Sequence, residues 1–310
     1  MAIDLVLLTY IIENKTTLMK KIFIAFLSVL AFTVNAQAQK KSGAIQFETI
    51  IDPVAVAEAS GRQIPEQMKA RMPKSVKSNY ELLYNATNAS YMPVTETEDS
   101  NSGGGPGGGM RFGFGGMGGG NKEYYYTFAD QKVVEVFDMM DTTYVMPTKL
   151  TVASINQFGG GNGGRNNQNN NAVQFLDVPP TVDIIKSDEI KKIVGLDCKK
   201  VTIKTTRKAK VLDMDKDVVD ETVLWYTNDL GFNFSPMPNL WTEGAVLAIE
   251  IKGGGTTAKS IEYRNVGNKD VTAPKKAVAI TQEQYQAKQA AMMARFRNNN
   301  NRQGVTGRVN

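Results

Sequence analysis

Trp225, Tyr226, Phe232, Phe234 and Trp241 crowd one stretch of the chain, and their types suit ligand recognition better than catalysis. Flat rings stack on apolar or sugar surfaces, and the polar tips of Trp and Tyr fix one end by a hydrogen bond. Trp225, Tyr226, Phe234 and Trp241 are therefore the candidate ligand-binding residues. The competing assignment is the core of an antiparallel sheet, where alternation buries large aromatics routinely. The chain has no His and one Cys, which removes the usual general base and the commonest metal ligands. No catalytic residue, metal site or cofactor is assigned, and the protein is read as not an enzyme. Cys198 has no His or evident helix N-terminus beside it to lower its pKa, so it is read as a small buried apolar residue.

Three further motifs fail on their flanks. Gly113-Phe-Gly115-Gly-Met-Gly118 spells the dinucleotide fingerprint, but more glycine precedes it and the strand-like Glu123-Tyr-Tyr-Tyr-Thr-Phe follows. A phosphate cradle needs a strand before and a helix after. Asp213-Met-Asp215-Lys-Asp217 starts like a calcium loop, but Val218 and Leu224 stand where an EF-hand has Gly and Glu; an acidic hairpin turn is expected instead. Asn85-Ala-Thr and Asn88-Ala-Ser are formal glycosylation sequons, read here as turn residues.

Charge and hydropathy locate the protein. The formal charge is +5. Residues 275–310 carry +6 and residues 1–38 carry +1, which leaves −2 for the body. A nearly neutral body argues against nucleic-acid binding, and a basic tail argues for contact with something anionic. Met19-Lys20-Lys21, the apolar run Ile22 to Val34 and Ala36-Gln37-Ala38 form a secretory signal, too short in its apolar part for a comfortable membrane span. Residues 1–18 lie upstream of that signal and are read as an over-extended gene start. A lone Cys gives an exported chain no internal disulfide, so the fold rests on its own core.

Apolar residues alternate with polar ones over Gly43–Ile51, the pattern of a half-buried strand that Pro53 ends. A short helix is expected at 65–74. Hairpins are expected at 80–93 and 124–137, followed by an extended stretch over 144–155. Two Gly- and Asn-rich inserts, near 99–121 and 157–172, read as disordered loops on the rim of one sheet. Glu189 to Ile251 holds the densest apolar block, with Gly195 supplying a turn. Thr281-Gln-Glu-Gln284 is a capping box opening a helix to Arg297. That helix is expected to bind an anionic surface rather than add a strand to the sheet; the alternative docks it through Tyr285, Met292 and Phe296. The last dozen residues are expected to be disordered.

The run from Ile185 to Ile203, Leu224-Trp-Tyr-Thr227 and the apolar strand after Trp241 resemble the GLPGLI family of exported Bacteroidetes proteins, as does the Tyr80–Tyr91 hairpin. The likeness spans most of residues 43–266. Where the family has Gly-Leu-Pro-Gly-Leu-Ile, this chain has Trp241-Thr-Glu-Gly-Ala-Val-Leu247 and so keeps one Gly and loses the Pro. The resemblance implies an envelope location and a β-rich fold, and it transfers no site residue.

The expected architecture is mainly β: a β-rich domain over 39–274, built as one curved antiparallel sheet or open barrel of about eight to ten strands. It carries long disordered loops and a C-terminal basic helix and tail over 275–310. The expected role is a non-catalytic cell-envelope protein in the periplasm or at the outer membrane, binding an apolar ligand or a membrane-protein partner. The alternative is a structural or assembly factor that touches the outer membrane, lipid or an anionic cell-wall polymer through its loops and tail. Export predicts a mature chain starting after Ala36 or Ala38. The intact mass of protein recovered from the cell envelope checks this, and a chain that still begins at Met1 or Met19 refutes it.

Overall fold

The computed structural model describes residues 42–59, 64–94, 122–152, 173–176, 178–211 and 214–305. The expected gene start, export signal and both Gly-rich inserts lie outside these residues. Among the described residues thirteen strands form one sheet, more than the eight to ten expected. They are β1 (Gly43–Ile51), β2 (Val76–Tyr84), β3 (Asn88–Pro93), β4 (Glu123–Thr127), β5 (Lys132–Met139), β6 (Thr142–Thr148) and β7 (Val173–Phe175), then β8 (Thr181–Ile193), β9 (Leu196–Val211), β10 (Met214–Thr227), β11 (Ala245–Ile251), β12 (Gly254–Tyr263) and β13 (Val278–Ala279). Their order is β13-β6-β5-β4-β3-β2-β1-β12-β11-β10-β9, with β7 and β8 sharing the outer side of β9. The sheet does not close.

Most neighbours are successive strands joined by hairpins. At the β2–β3 hairpin, Asn85 Oδ1 accepts the backbone N–H of Thr87 at 3.0 Å and of Asn88 at 2.9 Å, so the first sequon residue does act as a turn former. Gly195 supplies positive φ as expected, and Val194 shares it (φ 84° and 46°). Those two angles make the two-residue turn that joins β8 to β9 and match the right-handed strand twist. Two junctions are non-local: β13 pairs with β6, and β1 pairs with β12 as well as with β2. At this seam the hydroxyls of Thr49 and Thr256 lie 2.7 Å apart. Glu48 there takes ion pairs from Lys259 and Lys77, which hold its carboxyl below the ordinary carboxylate range.

Several local expectations need correction. Pro53 does more than end β1: it opens a helix, α1 (Pro53–Ala59), because Asp52 Oδ1 caps the N–H groups of Val54 and Ala55. The helix expected at 65–74 shrinks to one turn, α2 (Glu66–Lys69), none of whose residues is buried. Without a packed face a short helix does not propagate. Asp215, Asp217 and Asp220 lie on a strand rather than a turn, and Asp217 and Asp220 pair with Lys208 and Arg207. Alternation there puts the two paired aspartates on opposite faces.

The C-terminal region forms the expected helix, but its start docks on the sheet, the arrangement held as the alternative. The capping box is present: Thr281 N–H donates to Gln284 Oε1 at 3.0 Å, and Gln284 N–H donates to Thr281 Oγ1 at 3.3 Å. The helix it opens, α3 (Gln282–Val305), runs past Arg297 into residues expected to be disordered. Before it, β13 completes the sheet by parallel pairing with β6. Ile280 is buried against Phe137 and Met146, and Tyr285 meets Phe137 edge-on at 5.0 Å. The tail therefore docks on the sheet, because Ile280 and Tyr285 offer it apolar area to bury.

A sheet that stays open must cover its faces with something else. The loop 228–244 between β10 and β11 does this. Phe234, fully buried, packs on Phe47, Tyr91 and Tyr126 of three strands, at centroid distances of 5.2 to 5.7 Å. Its N–H donates to the Gly244 carbonyl, and the Val246 N–H donates to its own carbonyl. Tyr126 Oη donates to the Ser235 carbonyl at 2.7 Å, and Ser235 Oγ donates to that of Leu240 at 2.8 Å. Thr151, just past β6, hydrogen-bonds to Pro238 and Trp241 of the same loop, which ties the loop to the segment that follows β6. Gly244 has φ 61°, and a Cβ there would lie 2.6 Å from both Asn228 Oδ1 and the Thr227 carbonyl oxygen. Only glycine fits. Phe234→Ala is expected to cost about 3–5 kcal/mol in denaturant unfolding, as a core cavity does. A cost below about 1 kcal/mol would instead mark Phe234 as a dispensable lining residue.

Candidate functional site

Trp225 and Tyr226, consecutive on a strand regularly paired with Lys200 and Lys199, point to opposite faces. The four sequence candidates therefore divide. Trp225 and Phe234 belong to one buried cluster, whereas Tyr226 and Trp241 belong to another that includes Val201, Ile203, Leu224 and Leu240. Trp225 is sealed rather than offered. Its Nε1 donates to Glu250 Oε1 at 3.0 Å, and the ammonium groups of Lys191 and Lys200 lie 5.1 and 5.7 Å from its ring centre. Phe234 is core. Cys198 is buried too, and burial pushes its thiol up to about 11; such a thiol stays protonated and unreactive.

Tyr226, only 4% exposed, and the half-buried Trp241 belong to the cluster beside which the edge strand leaves apolar side chains uncovered. On the edge strand β8, Ile184 pairs with Ile203, Lys186 with Val201, and Ile190 with Lys199, which in turn pairs with Tyr226. Cross-strand partners share a face, so Ile184, Lys186 and Ile190 all border the cluster of Tyr226. Ile184 is 49% exposed and Ile190 is 61% exposed. The half-buried Val182, Met237 and Trp241 pack against the same cluster. Scattered exposed apolar residues are ordinary; here two isoleucines share one face of an edge strand and form an apolar lip beside that cluster. Trp241 is aimed by its Nε1, which donates to the Gly244 carbonyl at 2.9 Å.

A polar border runs along the lip. Tyr226 Oη donates to Glu243 Oε1, and Lys186 Nζ lies 3.1 Å from the same oxygen. The Tyr226 hydroxyl first, and then the Lys186 ammonium, hold the Glu243 carboxyl below the ordinary carboxylate range. Burial and the same carboxylate push the Tyr226 phenol up to about 12, so it stays a donor. The exposed Lys199 adds a second positive charge near Glu243. The arrangement suits apolar contact beside cationic groups; nothing in it resembles a nucleophile with its base. The sequence reading missed Ile184 and Ile190, because only the pairing register shows that they share a face with Tyr226.

No family model and no curated protein matches the chain. Two solved structures of PNGF-II, in the C2 and P21 space groups, are similar to it at 11% identity and a TM-score of 0.42. The matches cover 79% and 80% of this chain but 32% and 33% of those chains, so this chain spans about a third of their length. A likeness of that size assigns neither fold nor function.

The Glu243 contacts carry a pH signature. A carboxyl whose folded-state pKa lies below its unfolded value stabilises the fold above about pH 4.3, and this contribution disappears as pH falls through the depressed value. The stability advantage of the wild type over Glu243→Gln should therefore be largest near neutral pH and shrink toward about pH 3. Urea melts of both proteins across that range measure it. A difference that stays constant or grows on acidification refutes the pairing.

Proposed function

We propose that the protein is a non-catalytic component of the cell envelope that binds an apolar ligand along the lip of β8 and Trp241. The observation that carries this reading is the pair of exposed isoleucines, Ile184 and Ile190, on the same face as Tyr226 and beside the cluster that holds the half-buried Trp241. Exposing such surface costs free energy unless a ligand covers it, at roughly 25 cal/mol per Å² of apolar area. Lys186 and Lys199 beside it favour a ligand with an anionic end, an acyl chain with a carboxylate or phosphate head. The secretory pattern from Met19 and the resemblance to exported GLPGLI proteins support the envelope location and the family assignment that goes with it.

Organic extracts of purified protein, analysed by mass spectrometry, should contain an acyl-chain lipid. The double variant Ile184→Ser/Ile190→Ser should bind a fluorescent fatty acid at least about tenfold more weakly, with an unchanged melting temperature, since both residues are exposed. If extracts are empty and the variant binds the probe as well as wild type, the reading fails. A membrane protein co-purifying through the same two residues would replace the lipid with a protein partner.

A further inference from the structure

The helix α3 is anchored to the sheet through its first three turns. Its half-buried residues among those described are Tyr285, Gln289 and Met292, at i, i+4 and i+7, which fall on one helical face. Tyr285 meets Phe137 of β5 edge-on at 5.0 Å, and its hydroxyl accepts Nε2 of Gln289 at 2.6 Å. Lys288 Nζ stands 5.4 Å from the ring centre of Tyr144 on β6. The helix then runs on from Met292 to Val305, about 20 Å at 1.5 Å per residue. Among the described side chains, none after Met292 is buried.

Charge on this helix is one-sided. Lys288, Arg295, Arg297 and Arg302 stand in it against Glu283 alone, a net +3. Lys204, Arg207 and Lys208 of β9 are each paired with an acid. Lys288 and Arg295, by contrast, are exposed and have no ion pair among the described residues. Lys288, Arg295 and Arg302 follow one another at seven-residue intervals, so a continuous helix aligns them in one column, about 10 Å apart. A small anion meets only one of these charges, because the next is too far away. A plane of negative charge meets all three together and gains from each. The contact is electrostatic rather than an insertion, since Tyr285 is taken up by Phe137 and Ala287, Ala290, Ala291 and Ala294 are the exposed apolar residues beside it. We propose that α3 docks on the surface of a bilayer rich in anionic phospholipid, with the column of Lys288, Arg295 and Arg302 against the phosphate groups. This role does not depend on the β8 lip.

Sedimentation of the purified protein with vesicles of phosphatidylcholine, alone or mixed with phosphatidylglycerol, tests this. Binding is expected to the mixed vesicles only, and it should vanish in molar salt, where charges are screened within about 3 Å. Lys288→Gln/Arg295→Gln/Arg302→Gln should weaken it on the order of a hundredfold, about fivefold for each charge removed. Arg295→Lys/Arg302→Lys should bind like wild type, since charge rather than a guanidinium is at work. Lys204→Gln/Lys208→Gln/Lys210→Gln takes as much charge from β9 and should leave binding unchanged. Ile184→Ser/Ile190→Ser should leave it unchanged too, which separates this surface from the lip. Far-UV circular dichroism confirms that each variant keeps its fold and helix. The proposal is overturned if the anionic vesicles do not bind, if neutral vesicles bind equally, or if the helix triple variant binds like wild type. It is overturned equally if the β9 variant loses as much. Heparin binding through the same three residues with no vesicle binding would replace the membrane by a soluble polyanion and overturn it as well.

Discussion

The seating of Phe234 among Phe47, Tyr91 and Tyr126 is the contact on which the rest of the structure depends. An unclosed sheet has two faces, and a face rich in Leu, Tyr and Phe cannot be left in water. A loop is a poor cover unless its own polar groups are satisfied. Here they are, by the Gly244 and Leu240 carbonyls, by Ser235 and by the Tyr126 hydroxyl. Gly244 makes this possible, since any Cβ there would collide with the chain it turns against. The same turn aims Trp241 toward the uncovered lip, so the device that closes the core also places the candidate site.

The sheet is two sets of local hairpins joined at β1 and β12. The buried threonine pair and the Lys77–Glu48–Lys259 arrangement fix the register of that seam, with hydroxyl and charge rather than with bulk. Beyond the last β11 partner at Thr222, the β9–β10 hairpin continues as an arm, laced by Lys204–Glu221, Arg207–Asp220 and Lys208–Asp217. The outer strand β8 follows Pro179-Pro180 and carries a register shift between Ser187 and Ile190. Prolines, irregular pairing and lysines on an edge discourage another strand from adding there. Side chains rather than backbone are what this edge presents to a ligand. Along β8, Lys186 and Lys199 stand on the same face as the exposed Ile184 and Ile190, so this edge presents charge and apolar surface together.

Local signals were legible in the chain. The strand at Gly43–Ile51, the Asn85 turn, the Gly195 turn and the Thr281 capping box each depend on residues within a few positions of one another, and each formed as read. The mainly-β, open, curled class followed from the spacing of such signals. Asp52-Pro53 was a helix start that alternation alone concealed. What no local pattern could supply was pairing partners and cover. Trp225 and Tyr226 look alike in sequence, yet one is sealed under lysines and the other borders a lip, because strand alternation sends neighbours to opposite faces and only the assembled sheet says what lies on each. Glu135 reads as an ordinary alternating polar residue; its burial beside Tyr124 and Tyr91 was decided by the register of three strands, and the amino-acid order alone does not contain that register.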